Sequence, residues 1–231
     1  MKQAGSRRHF REHTRIPWGR LLGRLMSHYE MGDWRTPVLR KRGEDPFLVM
    51  VSTMLSQRTR DEVTQRATLR LLSHYPTPTT MARAPVNDIE TLVREVGLSH
   101  LKARGLRDAA RFLVSRHKGV VPRDLEELLE IPRVGPKTAH AILVFGHSKP
   151  ALPIDTHILR VCRRLGATRG RNIPDAQKEL VETVPSRYWG LLNPILVQHG
   201  MNTCRHRDPF CGACPIARWC KRIGLPSTGA F

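Results

Sequence analysis

Residues 128–139 read Leu128-Leu129-Glu130-Ile131-Pro132-Arg133-Val134-Gly135-Pro136-Lys137-Thr138-Ala139 and form the most informative stretch of the chain. An apolar helix end precedes a tight turn rich in proline and glycine, and Pro136 opens a second helix where its missing N–H costs nothing. The second helix therefore directs its free N–H groups out of the hairpin. Val134 and Gly135 place backbone amides where a phosphate can approach, so the pattern indicates a hairpin that grips a phosphate backbone without reading sequence. An ordinary corner between two helices fits the same residues.

The rest of the chain reads as capped helices with short connections. Asp45-Pro46 predicts the start of a helix over 47–55. Thr59 with Glu62 reads as a capping box that starts a helix to about residue 74. The stretch 76–80 is predicted to be a loop.

The same signals predict most of the remaining helices. They start at about residues 87, 101, 124, 136, 155, 174 and 186, and Pro194 is expected to kink the last of them. No stretch shows the alternation of a strand, so the predicted fold class is all-α.

The charge balance is strongly basic. The 231 residues include 39 Lys and Arg against 20 Asp and Glu, a formal net charge of +19, whereas about 2–8 keeps a small domain soluble. This excess favours a polyanionic partner, nucleic acid before an acidic membrane; a solubility surface is the alternative. No apolar run approaches the ~18–20 residues that cross a bilayer. The basic segment before Ile16 lacks the apolar core of a signal peptide, so we expect a cytoplasmic, nucleoid-associated protein.

Lys137 and Asp155 are the candidate reactive pair. Lys137 lies in the first turn of the second hairpin helix, where the dipole disfavours a cation and so favours the neutral, nucleophilic amine. Asp155 lies at or just before a predicted helix start, where a carboxylate stays ionised. Such a pair can attack a carbon while the carboxylate accepts a proton or stabilises a cation. Taken singly, a phosphate-binding lysine and a helix-capping aspartate explain the same residues.

Four of the five cysteines lie close together near the C-terminus. Their spacing is C-x6-C-x2-C-x5-C, and they are Cys204, Cys211, Cys214 and Cys220. Four thiolates at this spacing fit either a tetrahedral zinc ion or a cubane iron–sulfur cluster, and ligand softness does not separate the two. Cys162 is predicted to be a core thiol. Arg205 and Arg207 make the first cysteine loop basic, and we expect them to contact phosphate.

These three constellations, in this order, resemble endonuclease III, a family of helix-hairpin-helix DNA glycosylases that carry a 4Fe–4S cluster. The resemblance covers roughly residues 38–222. It implies two helical domains with the active site in a cleft between them. Residues 39–149 would form a six-helix barrel with the hairpin, and 150–231 the iron–sulfur cluster domain, which the basic segment 1–38 joins. The four closely spaced cysteines would bind the cluster.

The resemblance implies a base excision repair enzyme with both DNA glycosylase and AP lyase activity. The enzyme would act as a monomer on double-stranded DNA that contains damaged bases or abasic sites. Lys137 would attack the sugar C1′ of a damaged, typically oxidised, pyrimidine nucleotide, and Asp155 would assist departure of the base. The resulting Schiff base would allow β-elimination, which cuts the strand.

The resemblance also implies which residues contact DNA. Leu98 would insert an apolar wedge into the duplex once the base has left the stack. The family has a glutamine plug in a Leu-Ser-x-Gln pattern, whereas here Gln57 comes one position early and Arg58 holds the matching place. Arg133 stands where the hairpin often has glycine. The predicted DNA contacts are Gln57, Arg58, Leu98, Arg133, Val134, Gly135, Thr138, His157, Arg205 and Arg207.

Three alternatives remain open on the sequence. Monofunctional adenine or mismatch glycosylases of the same superfamily lack the catalytic lysine, and the adenine enzyme has a glutamate where this chain has Ser52. A non-enzymatic zinc protein that binds DNA would explain the charge, the hairpin and the cysteines, but not Lys137 with Asp155. A degenerate glycosylase that binds DNA without chemistry is disfavoured by the intact pair.

Overall fold

The computed structural model describes residues 16–31 and 45–225, and these residues form helices joined by short loops. Within these two ranges there is no strand, so the predicted all-α fold class is confirmed. The basic segment before Ile16 lies outside the described residues. None of the helices in the two ranges is long and apolar enough to cross a bilayer.

The chain divides into two compact units. Of the described residues, 45–155 belong to one unit, and 16–31 with 156–225 belong to the other. The division falls beyond the predicted boundary at 149, because Ala151 still packs in the apolar core of the first unit. The helices of the first unit are α2 (Pro46–Ser56), α3 (Asp61–His74), α4 (Pro78–Arg83), α5 (Val86–Leu92), α6 (Ser99–His117), α7 (Leu125–Glu130) and α8 (Pro136–Ala141).

Helix α2 is the centre of the first unit. It is apolar on nearly every side, which is the pattern of a helix enclosed by others, and α3, α6 and α8 pack against it. Its buried side chains are Phe47, Leu48, Val49, Met50, Val51, Met54 and Leu55. The loop that follows α2 is therefore attached to the most deeply buried element of the unit.

The start of α2 agrees with the sequence prediction, whereas the start of α3 does not. Asp45 Oδ1 accepts a hydrogen bond of 2.9 Å from the Phe47 amide, and Pro46 occupies the first helical position. The capping box predicted at Thr59 and Glu62 is wrong. Helix α3 begins after Arg60 without a side-chain cap, because the Thr59 hydroxyl donates to the Gln57 carbonyl instead.

A capping box does occur further along, in the stretch predicted to be a loop. Thr77 accepts from the Thr80 amide at 3.2 Å, and the Thr80 side chain accepts from the Thr77 amide at 3.1 Å. This reciprocal pair starts the short helix α4, with Pro78 in its first turn. The run of prolines and threonines is thus a helix start rather than a loop.

Helices α7 and α8 form the predicted hairpin. The Asp124 side chain caps α7, and the turn is closed by a 3.0 Å hydrogen bond from the Val134 amide to the Ile131 carbonyl. Helix α8 continues as a π-helical turn over Ile142–Gly146. A Cβ at Gly146 would lie 2.8 Å from Pro46 Cα, so glycine is required for this turn to approach the start of α2.

The described residues of the second unit, 16–31 and 156–225, form four α-helices. Helix α11 contacts both α1 and α9. It starts after a 3₁₀ turn over Ser186–Tyr188 and continues through Pro194 to residue 202. The cysteine-rich segment follows it. The helices of this unit are α1 (Trp18–His28), α9 (Thr156–Leu165), α10 (Ile173–Thr183) and α11 (Trp189–Asn202).

Candidate functional site

Lys137 and Asp155 form an ion pair within the first unit. Lys137 Nζ lies 2.9 Å from Asp155 Oδ2. Lys137 projects from the first turn of α8, whereas Asp155 lies in the extended segment that ends at α9. The lysine side chain is 49% exposed and the aspartate side chain 12%, so the amine can reach a substrate while its partner stays largely enclosed. The two residues that the sequence singled out for chemistry are therefore in direct contact.

The hairpin turn beside Lys137 offers fewer free amides than the sequence suggested. The Val134 amide is used to close the turn, and the side chains of Val134 and Thr138 are buried. The first hydrogen bond of α8 runs from the Ala139 amide to the Gly135 carbonyl. The amides of Gly135, Lys137 and Thr138 thus lie before the first intrahelical hydrogen bond of α8 and are the ones available to bind an anion.

Arg133 lies at the tip of the hairpin in the left-handed region. Its φ of +66° is one that glycine adopts without strain and other residues adopt at a cost. A Cβ built on Gly105 of α6 would lie 3.0 Å from Arg133 Cγ. The stem of Arg133 therefore passes close to Gly105, where a Cβ would make a tight contact, and Arg133 as a whole is exposed.

The two loops predicted to enter the duplex lie next to each other. Gln57 and Arg58 are both exposed at the C-terminal end of α2, and Arg58 has a φ of +54°. Leu98 precedes α6 with a φ of +60° and is 58% exposed. A Cβ on Gly97 would lie 3.2 Å from the Arg58 carbonyl oxygen, so the backbones of the two loops are in contact.

Lys102 joins these two loops and was not identified from the sequence. Its ammonium donates to the carbonyls of Leu55 and Gln57, each at 2.7 Å, and to the Thr59 hydroxyl at 2.9 Å. Burial lowers the pKa of this lysine. A signal did exist, because position 102 falls on the same face of α6 as the buried Leu106, where a lysine is unexpected.

The four cysteines near the C-terminus are half-buried and close enough to influence one another. Burial raises the pKa of Cys214 to about 11, and the charges of Cys220, Cys204 and Cys211 raise it further. Burial likewise raises the pKa of Cys220. Among the described residues, no three His, Cys, Asp or Glu side chains converge tightly enough to hold a single metal ion. The thiols thus share one neighbourhood without forming a compact one-ion site.

Hydrogen-bond donors are directed at two of these sulfur atoms. Arg164 Nη1 lies 3.5 Å from Cys204 Sγ, and the Arg222 amide lies 3.4 Å from Cys220 Sγ. Donors of this kind stabilise thiolates and are typical of protein-bound iron–sulfur clusters. Cys162 is fully buried in α9, as predicted from its apolar neighbours.

Two arginines of α9 brace the first cysteine loop. Arg160 donates to the carbonyls of Gly200 and Cys204, and Arg164 donates to the carbonyls of Arg205 and His206. These contacts fix the loop backbone without using its own cations. Sequence reasoning missed both arginines, because their partners are carbonyls that no motif marks.

The residues of this unit that were predicted to contact phosphate differ in exposure. Arg205 and Arg207 are both exposed, and the Arg205 guanidinium lies over the Phe210 ring at 4.0 Å. His157 Nδ1 lies 3.1 Å from Arg160 Nη2. Arg205 and Arg207 are thus both accessible on the braced loop, and His157 is half-buried beside it.

A buried histidine connects the first helix of this unit to the cysteines. The Tyr29 hydroxyl lies 2.8 Å from His199 Nδ1 and 2.7 Å from Thr203 Oγ1. Burial lowers the pKa of His199 to about 4, with a further contribution from His28, so the ring is neutral. His199 Nε2 faces Cys214 Sγ at 3.8 Å.

Comparison with known proteins agrees with this geometry. The family described as "HhH-GPD superfamily base excision DNA repair protein" matches residues 51–186, more than half of the chain. Endonuclease III of Thermotoga maritima is 40% identical over 177 residues, which is 77% of this chain and 83% of that protein. The chain belongs to the endonuclease III family. It is therefore a base excision repair glycosylase of the HhH-GPD superfamily.

Other endonuclease III proteins match over a similar extent. The protein of Escherichia coli is 33% identical over 176 residues, covering 76% of this chain and 83% of its own length. The solved structure titled "Structure of a Trapped Endonuclease III-DNA Covalent Intermediate: Estranged-Adenine Complex" has a TM-score of 0.78 at 28% identity, covering 90% of this chain and 96% of that one. A thermostable thymine-DNA glycosylase shares the fold, with a TM-score of 0.77 at 21% identity.

Proposed function

We propose that this endonuclease III family member is a bifunctional DNA glycosylase and AP lyase that removes oxidised pyrimidines from duplex DNA. The observation that carries the proposal is the 2.9 Å contact between Lys137 Nζ and Asp155 Oδ2. Monofunctional relatives of the superfamily lack this lysine. A lysine held against an enclosed carboxylate is the arrangement expected of a nucleophile with its proton acceptor.

The first chemical step separates the base from the sugar. Asp155 accepts a proton from the Lys137 ammonium, and the neutral amine attacks C1′ of the damaged nucleotide. The bond between C1′ and the base breaks, its electron pair leaves with the base, and the base takes up the proton that Asp155 received. Asp155 is then a carboxylate again and stabilises the positive charge left on the aminated sugar electrostatically.

The second step cuts the strand. The sugar ring opens and leaves C1′ joined to Lys137 Nζ as an iminium ion, the Schiff base. Loss of a proton from C2′ moves electrons toward the iminium and expels the 3′ phosphate. Hydrolysis of the remaining imine then releases Lys137 for another cycle. Asp155, restored as a carboxylate, is the nearest candidate for moving the C2′ proton.

Binding to duplex DNA is supported by the hairpin and by the exposed loops. The amides that precede the ladder of α8, together with Arg133, suit a phosphate of the strand that carries the lesion. Leu98 and Arg58 are both exposed on loops whose backbones are in contact, and they could fill the space left when the damaged base swings out. A non-covalent endonuclease III–DNA complex is among the solved structures with this fold, which supports the same partner here.

The cysteine segment fits a 4Fe–4S cluster better than a zinc ion. This preference rests on membership of the endonuclease III family, and the N–H groups that Arg164 and Arg222 direct at Cys204 Sγ and Cys220 Sγ are compatible with such a cluster. Cys204, Cys211, Cys214 and Cys220 would hold it. When bound, such a cluster cross-links the loops and supplies fixed structure. Arg160 and Arg164 hold the same loops from the side of α9.

The test is to compare two single variants on a duplex that contains one thymine glycol. Lys137→Ala should abolish strand cleavage, and Asp155→Asn should slow base release by about 10²–10⁴-fold, the usual contribution of a general base. Lys178→Ala, which removes an exposed lysine of α10, is the control and should behave as wild type. Full activity in either of the first two variants contradicts the assigned roles.

A further inference from the structure

Lys102 connects two loops through two separate parts of the same residue. Its backbone amide donates to the Leu98 carbonyl at 3.0 Å, within the first turn of α6. Its ammonium reaches the other loop and donates to the carbonyls of Leu55 and Gln57 and to the Thr59 hydroxyl. One residue thus fixes the position of Leu98 relative to the turn that carries Arg58.

The acceptors of Lys102 surround Arg58 on both sides. The Gln57 carbonyl precedes Arg58 and the Thr59 hydroxyl follows it, and the ammonium binds both at 2.7 and 2.9 Å. Arg58 itself has a left-handed φ of +54°, a conformation that strains a non-glycine residue. Such a conformation persists only where surrounding contacts determine it, and the two Lys102 contacts provide that restraint.

The location of the ammonium is also favourable electrostatically. The carbonyls of the last turn of α2 have no helical partner and carry the negative end of the helix dipole, which a cation stabilises. The Lys102 side chain is half-buried, and its burial gives the contact low screening by solvent. The loop is thus tied to α6 by a charge-assisted contact that water does not readily replace.

We propose that Lys102 is a positioning residue that holds Arg58 and Leu98 together as one two-part wedge. This inference rests on the proposed function, in which these two side chains fill the space left by the displaced nucleotide. Arg58 and Leu98, which both have a left-handed φ, then keep the same distance from each other when DNA binds. The ammonium of Lys102 is engaged by three acceptors on the loop that carries Arg58, so the role assigned to it is exerted through the loops and not on the reacting atoms.

The test is a mutant cycle that combines the lysine with the wedge. The variants are Lys102→Met, which keeps the stem and removes the charge, the double variant Arg58→Ala/Leu98→Ala, and the triple variant. kcat/KM is measured on a thymine glycol duplex, and 2-aminopurine fluorescence next to the lesion reports disruption of the stack. Arg104→Met, at an exposed position of the same helix, is the matched control.

Lys102→Met should lower kcat/KM about ten-fold in the wild-type background and reduce the 2-aminopurine signal. It should cause almost no further loss in the double variant, since residues that act as one unit are not additive. Lys102→Arg should restore part of the activity. Should Lys102→Met fail to fold, Thr59→Val removes one acceptor and should give a smaller loss in the same direction.

The results that would contradict the role of Lys102 differ from those that would contradict the proposed function. If the double variant keeps full activity, the wedge itself is wrong, and the proposed function loses its account of base displacement. If the double variant is impaired but Lys102→Met lowers activity equally in both backgrounds, Lys102 acts independently of the wedge and the present proposal is overturned. A wild-type 2-aminopurine signal in Lys102→Met overturns it as well.

Discussion

Lys137 Nζ and Asp155 Oδ2 are 2.9 Å apart although eighteen residues separate them in the chain. Half of the lysine side chain is exposed, whereas the aspartate side chain is 12% exposed, so solvent screens the pair from the lysine side and limits its contribution to stability. Lys137→Ala should therefore fold. Asp155→Asn keeps the size and shape of the enclosed side chain, so the effects of both variants on the reaction are interpretable.

Truncation of Leu98 should impair the reaction on duplex DNA with little effect on folding. The side chain is 58% exposed, so Leu98→Ala removes little buried apolar surface. We expect kcat/KM on a thymine glycol duplex to fall about ten-fold, equivalent to about 1.4 kcal/mol, because extruding a base costs a few kcal/mol that the wedge offsets.

Single-stranded DNA distinguishes a wedge from a catalytic contact. A lesion in a single strand needs no extrusion from a duplex, so the Leu98→Ala effect should be absent there. Val114→Ala, at another exposed apolar position of α6, is the control on both substrates. Equal losses on single-stranded and duplex substrates would contradict the role given to Leu98.

Replacing Arg133 by glycine should weaken DNA binding without loss of stability. Glycine adopts the φ of +66° without strain, and the gain offsets the greater freedom of glycine in the unfolded chain. The loss of one phosphate contact should reduce the slope of log K against log salt by about 1, uniformly across sequences. The measurement is binding to undamaged duplex at several salt concentrations.

Lys118→Gly is the matched control for Arg133→Gly. Lys118 is also an exposed cation with a left-handed φ, +53°, but it lies at the other end of α6. Lys118→Gly therefore removes one positive charge and increases backbone freedom, as Arg133→Gly does, but away from the hairpin. A salt slope that falls equally in both variants would show that overall charge, and not the hairpin, determines binding.

Cysteine variants should separate metal ligands from the core thiol. Cys211→Ser should yield protein without brown colour and with little iron or acid-labile sulfide, because three thiolates hold the cluster poorly. Cys162→Ala should keep full iron content and lose about 1 kcal/mol from the cavity that it leaves, since this thiol is fully buried. Stoichiometric zinc without iron in the wild-type protein would contradict the cluster assignment.

The stability of the first unit should fall as the pH drops below about 6.5, partly because of His147. Burial lowers the pKa of this histidine, and the charges of Arg123 and Lys149 lower it further. The folded state therefore binds fewer protons than the unfolded state in this window, so acid favours unfolding. His147 Nε2 lies 2.7 Å from the Pro122 carbonyl, to which the neutral ring donates.

The check is thermal unfolding of wild type and His147→Gln at about pH 7.5 and about pH 5.5. Glutamine keeps an N–H donor for the Pro122 carbonyl but does not titrate. The difference in Tm between the two pH values should shrink in the variant. An unchanged difference would mean that His147 does not contribute to the acid sensitivity.

The sequence predicted most of the helices because their ends carry local signals. Asp45 and Asp124 both cap helices as their positions suggested. Thr59 failed as a cap because its hydroxyl contacts the nearby Gln57 carbonyl and the ammonium of Lys102, which is 43 residues away in the chain. Local rules therefore hold where the cap has no competing partner in space.

The site shows the same division between local and distant effects. Lys137 and Asp155 were predicted from the sequence to be the reactive pair, and the structure brings the two side chains together. Their roles remain predictions. Lys102, Arg160 and Arg164 were not predicted because each one binds backbone carbonyls more than forty residues away. Carbonyls are present at every residue, so no sequence pattern marks which of them a cation will reach.

The most direct test of the account is borohydride trapping on a duplex that contains one thymine glycol. Borohydride reduces an imine between an amine and C1′ to a stable bond, so a Schiff base appears as a covalent protein–DNA band. We predict a strong band with wild type and none with Lys137→Ala. Base release without any trapped band in the wild-type protein would contradict the account, since Lys137 would then not be the nucleophile.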